Sequence, residues 1–187
     1  ATLAVRRAFG GVAVRESFHL PLFLMGAAFM LLETRMVTSL GLLFGSTWVV
    51  NASVFAGILT LVLIATLATA RRAPKRVLLW FGPLFLSLVV CYLLGSARLA
   101  SLPLLGRGLA GGLLFALPVG IAGVVVATLL KQAKNAAGAL GSNLLGAVLG
   151  GVLEYLSMLL GLEALLLLAL TLYLGAFLAL RRPGALD

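Results

Sequence analysis

Only five carboxylates stand among 187 residues, so an ionisable group inside an apolar run is conspicuous. Glu33 and Arg35 fall near the middle of the first such run, and Glu154 lies late in the fifth. Insertion scales put a central Arg or Asp at roughly 2.5–3.5 kcal/mol, so such groups face protein or water rather than lipid. Their chemistry would be ion pairing, or the binding or transport of a solute. Two positions apart on a helix is about 200°, which sends Glu33 and Arg35 to nearly opposite faces. Each therefore needs a partner on another helix.

The fifth run carries a second signal. Gly138, Ser142, Gly146, Gly150 and Glu154 recur at every fourth residue and so form one stripe. Small residues at this spacing let two helix backbones approach closely. Glu154 shares the stripe and is expected to face protein. Counted from the outer ends of their spans, Arg35 and Glu154 differ in depth by only about 5 Å. An Arg35–Glu154 ion pair is the sharp expectation, with Asn51 joining the same intramembrane network. Such a pair serves either transport or binding, or only helix register. Around the first span, Thr34, Arg35, Thr38, Ser39 and Gly41 share a broad arc, leaving a narrow apolar strip. That helix is expected to be surrounded by protein.

These residues need elements to hold them, and composition names the kind. Hydrophobic residues make up 63% of the chain and charged residues 10%, against about 45–50% and about 25% in soluble domains. Soluble enzyme, disordered tail and disulfide scaffold are excluded, and an integral membrane protein remains. Six apolar spans are read at 18–44, 46–70, 77–95, 108–130, 136–160 and 163–180. They show no strand-like alternation, so the fold class is all-α: a polytopic membrane protein built as a six-transmembrane-helix bundle. Residues 96–107 form the longest internal connection.

Charge orients the bundle. With the N-terminus cytoplasmic, the inner segments hold Arg6, Arg7, Arg15, Arg71, Arg72, Lys75, Arg76, Lys131, Lys134, Arg181 and Arg182. The outer loops hold only Arg98 and Arg107. This is the Lys and Arg excess of cytoplasmic loops, so both N-terminus and C-terminus are cytoplasmic. Residues 1–17 read as a basic interfacial segment or a linker from a preceding domain, 18–180 as the transmembrane domain, and 181–187 as a cytoplasmic tail. His19 is expected at the inner interface, solvated or facing headgroups. Trp48, Trp80, Tyr92, Tyr155 and Tyr173 are read as interfacial aromatics, and Asn143 as a packing residue. The leucine-rich sixth span suits lipid or a partner chain.

Other chemistries find no support. There is no HExxH, no cysteine cluster and a single histidine, so neither a metal nor a cofactor is expected. No GxxxxGK[ST] loop exists, and no serine has a nearby base. The basic residues flank apolar spans, which speaks for bilayer orientation and no nucleic acid.

Two segments carry a family resemblance. Gly26-Ala27-Ala28-Phe29-Met30-Leu31-Leu32-Glu33-Thr34, with Leu43 through Asn51, resembles the membrane region of bacterial spermidine synthase-like proteins. Ser142-Asn143-Leu144-Leu145-Gly146-Ala147-Val148-Leu149-Gly150-Gly151 with Glu154-Tyr155 is similar to the later signature of that region. The resemblance implies membrane helices like half of a major facilitator transporter, commonly joined to a cytosolic aminopropyltransferase-like domain. The polyamine and decarboxylated S-adenosylmethionine sites of that domain have no counterpart in these residues, so no catalytic residue carries over. A cytoplasmic N-terminus fits such a domain upstream.

Three functions follow. The first is a non-catalytic membrane module, an anchor or subunit of a larger assembly in the bacterial inner (plasma) membrane. Its partners would be the lipid bilayer and other membrane subunits, or a second copy. The second is a half-transporter for a small solute, such as a polyamine, using Glu33 and Glu154. The third is the membrane part of an aminopropyltransferase-like enzyme, with catalysis elsewhere.

Overall fold

The computed structural model describes residues 18–45, 47–101 and 103–181. Expectations for residues 1–17 and for most of the tail lie outside them. Six long helices follow one another: α1 (Leu20–Phe44), α2 (Trp48–Arg71), α3 (Phe81–Ala100), α4 (Leu104–Gln132), α5 (Ala136–Leu153) and α6 (Glu163–Leu180). A 3-10 turn, Val77–Trp80, leads into α3. A 3-10 turn at Glu154–Leu156 and one helical turn at Ser157–Leu160 prolong α5. The described residues contain no strand, and six of the helical segments are long and apolar enough to cross a membrane.

Local chemistry sets the ends. Gly45 closes α1 with φ +92°, and Gly161 closes the α5 extension with φ +83°. Only glycine takes these left-handed conformations without a Cβ penalty. Asn135 caps α5, its side chain accepting from the Gly138 N–H at 3.0 Å. The expected long connection at 96–107 is corrected: α3 runs on to Ala100 and α4 begins at Leu104. Gly95, Ser96 and Ala97 are compatible with helix, whereas Pro103, with φ −61° and ψ 155°, takes an extended N-cap. The turn therefore contracts to the residues around that proline.

α1 is the hub. It packs against all five other long helices, most extensively α5 and α6. Its Leu22, Met25, Ala28, Leu31 and Leu32 are buried, as the broad polar arc led us to expect. α2 and α3 reach the bundle mainly through α4. α6 presents Leu165, Leu166, Ala169, Tyr173 and Ala176 inward. Two expectations change here. The start of the leucine-rich α6 is core rather than free surface, although Leu167, Leu174 and Leu178 stay exposed. Tyr173 is fully buried, with its hydroxyl unpartnered, so it is no interfacial aromatic. Trp48, Tyr92 and Tyr155 are exposed.

Pro118 sits inside α4. A proline has no N–H, so the carbonyl four residues earlier loses its helical donor. That carbonyl is Leu114's, and the Cys91 thiol of α3 donates to it at 3.2 Å. The lone cysteine thus repairs a gap that the proline opens.

Candidate functional site: the polar face of α1

α1 and α5 run parallel and touch along the small-residue stripe. At the start, the His19 N–H donates to Ser142 Oγ at 2.9 Å, and that hydroxyl donates onward to the Gly138 carbonyl at 2.8 Å. His19 is buried and its Nε2 is without a partner. The expectation of a solvated histidine fails because the α5 stripe covers the first turn of α1. One turn further, a Cβ on Gly146 would fall on the Phe23 carbonyl oxygen. A Cβ on Gly150 would lie 2.8 Å from Met30 Cβ. From the other side, a Cβ on Gly26 would collide with the Asn143 carbonyl. Ser142, Gly146 and Gly150 are buried, and Gly138 is half-buried at the edge. Absent side chains therefore set the helix separation.

The stripe ends at Glu154, where Thr34 Oγ1 donates to Glu154 Oε2 at 2.7 Å. Glu154 faces α1, but its partner is a hydroxyl. The cation goes elsewhere: Arg35 Nη2 meets Glu163 Oε1 at 2.6 Å. This corrects the expected Arg35–Glu154 pair. Successive residues on α1 are turned by about 100°, so Thr34 facing α5 leaves Arg35 facing α6. Arg35 is 1% exposed, whereas Glu163 is 49% exposed. The Phe115 ring of α4 lies 5.8 Å from the guanidinium carbon, adding a cation–π contact. Arg35 Nε and Nη1 have no hydrogen-bond partner.

Glu163 was not anticipated. It opens α6, and a carboxylate in a first turn is ordinarily read as a match to the helix dipole. Its signal was only its nearness in sequence to Gly161, where the chain turns back toward α1.

Glu33 is half-buried and makes no hydrogen bond or ion pair with another described residue. It lies four residues after Phe29 and three before Met36, on the same stripe of α1. Phe29 lines one cleft, of about 540 Å³, and Met36 another, of about 640 Å³. The first lies among α1, α2, α4 and α5, the second among α1, α2 and α4. Asn51, on α2, makes no side-chain hydrogen bond to Arg35 or Glu154. The structure brings Glu154 to Thr34 and Arg35 to Glu163, and leaves Glu33 and Asn51 outside both contacts.

Comparison with known proteins decides little. No family model, curated protein or solved structure matches this chain. Gly26, Thr34, Asn143, Gly146, Gly150 and Glu154 meet along the α1–α5 contact. Among the described residues, no three His, Cys, Asp or Glu side chains could hold a metal ion together.

Proposed function

We propose that this chain is a multi-pass module of the bacterial inner membrane, both ends cytoplasmic, acting as a non-catalytic anchor or subunit. It would be related to the membrane region of spermidine synthase-like proteins. The observation that carries the reading is how α1 uses its polar groups. Thr34 and Arg35 are engaged with the carboxylates of Glu154 and Glu163, and the α1–α5 contact leaves no room for a Cβ at Gly26, Gly146 or Gly150. Groups spent on holding helices together are not free to bind a travelling solute. Among the described residues, Glu33 alone keeps a carboxylate without an internal partner, and a neighbouring subunit that brings a donor or cation would complete it. The outward face of α5, with Leu144, Val148, Val152 and Leu159 exposed, offers apolar surface to such a neighbour or to lipid. The basic segments between α2 and α3 and between α4 and α5 support a cytoplasmic placement of that end.

The test is the native mass of the gently solubilised complex, with every co-purifying chain identified. Stable co-migration with other membrane subunits supports the reading. A lone monomer or a homodimer without other chains sinks the reading as a subunit of a larger assembly. The half-transporter reading then comes forward, favoured by the unpaired Glu33 between two clefts, and amine uptake into vesicles by Glu33→Gln becomes the deciding assay.

A further inference from the structure

The 540 Å³ cleft has a polar mouth and an apolar body. Val62 of α2 and Val126 and Leu130 of α4 form its walls. From Lys131 to Gly123 it follows α4 for eight residues, about 12 Å. That is most of one leaflet's half of a hydrocarbon core about 30 Å thick. At the mouth, Lys131 Nζ donates to the carbonyls of Thr69 at 3.2 Å and Ala70 at 2.8 Å. These are among the last carbonyls of α2, which its helix cannot satisfy. An ammonium has three donors, so one remains. Thr69 also lines the cleft; it is 2% exposed and its hydroxyl has no partner. Deeper in, the buried Asn143 Oδ1 is likewise unpartnered.

Charge says what such a mouth would take. Arg71 ends α2 and Arg72, Lys75 and Arg76 follow it; residues 71–76 and 131–135 contain no Asp or Glu. The Lys131 bonds to the end of α2 bring these two segments to the same end of the bundle. A cationic headgroup would be repelled there, and an anionic one is matched by the positive charge of Lys131, Arg71, Arg72, Lys75 and Arg76. We infer that the cleft between α2, α4 and α5 is a binding site for one anionic phospholipid, its phosphate on Lys131 and Thr69 and an acyl chain along Val62, Val126 and Leu130. Basic pockets between membrane helices recognise anionic headgroups in this way. The site goes beyond the subunit reading but rests on membrane insertion, which alkaline extraction of membranes checks separately.

The experiment is native mass spectrometry of the intact chain in mild detergent. It is titrated with phosphatidylglycerol or with phosphatidylcholine of the same acyl chains. The expected result is one phosphatidylglycerol retained per chain, at least about fivefold better than phosphatidylcholine. Lys131→Gln should lose most of that preference. Thr66→Phe places a ring in the cleft from an exposed position and should reduce retention of both lipids. Circular dichroism and a single gel-filtration peak confirm that each variant is folded; should Lys131→Gln fail this check, Thr66→Phe carries the test. Equal retention of the two lipids would overturn the assignment, as would a preference that survives both substitutions. Displacement of the lipid by glycerol phosphate alone would also overturn it, by showing a site for a soluble anion.

Discussion

The Cys91 thiol and Pro118 are coupled through one atom, the Leu114 carbonyl oxygen. Pro118 cannot supply the helical N–H, and Cys91 Sγ donates to that oxygen at 3.2 Å. Both residues are buried, between α3 and α4. A carbonyl left without a donor in such a place costs about 1–3 kcal/mol.

Cys91→Ala is therefore expected to destabilise the bundle by about 1 kcal/mol, whereas Cys91→Ser, with a stronger donor, should cost less. In a Pro118→Ala background the helix regains its own N–H, so Cys91→Ala should lose most of its effect. Apparent melting temperatures of the four proteins in one detergent form the cycle. Additive effects would show that the thiol and the proline act independently.

The Arg35–Glu163 pair predicts an asymmetric response. Removing the carboxylate strands a guanidinium that is 1% exposed, but Glu163 itself is half exposed. Glu163→Ala should therefore cost about 1–3 kcal/mol, below the full value for a deeply buried pair. Arg35→Met combined with Glu163→Gln removes both charges and should be no less stable than Glu163→Ala. Glu154→Gln keeps an acceptor for Thr34 and should stay close to the parent. Thermal unfolding that ranks Glu154→Gln below Glu163→Ala would overturn this assignment of partners.

Two glycines of α5 five positions apart should behave oppositely. Gly146→Ala drives a methyl group into the Phe23 carbonyl and must push α1 and α5 apart, costing about 1–3 kcal/mol. Gly151→Ala meets open space and should be neutral or stabilising by up to about 1 kcal/mol. Equal melting temperatures for the two would mean that the α1–α5 contact is looser than described.

Much of the framework was legible because apolar length is a strong signal. Six runs of about 18 residues or more became six helices, and the every-fourth-residue stripe became the α1–α5 contact. Glu154 faced α1 because it shared that stripe. The ion pair was misread because depth was counted along straight rods from their ends, a measure that ignores which way each side chain turns. Tyr173 and His19 failed for a related reason. Distance from a span end places a residue near an interface, but rotation about the helix axis decides whether it meets lipid or core. That Pro118 takes the helical donor from the Leu114 carbonyl follows from its ring, but the substitute donor does not. Nothing in sequence sets Cys91 opposite Leu114 until α3 and α4 pack.

The 128 residues that separate Arg35 from Glu163 also have a meaning in time. At ~5–20 residues per second of synthesis, the arginine leaves the ribosome roughly 6–25 s before its carboxylate exists. Through that interval the helix of lowest mean hydropathy among the six stands with its charge unanswered by Glu163. The bundle can therefore close around Arg35 only after the last helix is made, so its polar centre is among the last parts of the fold to be completed.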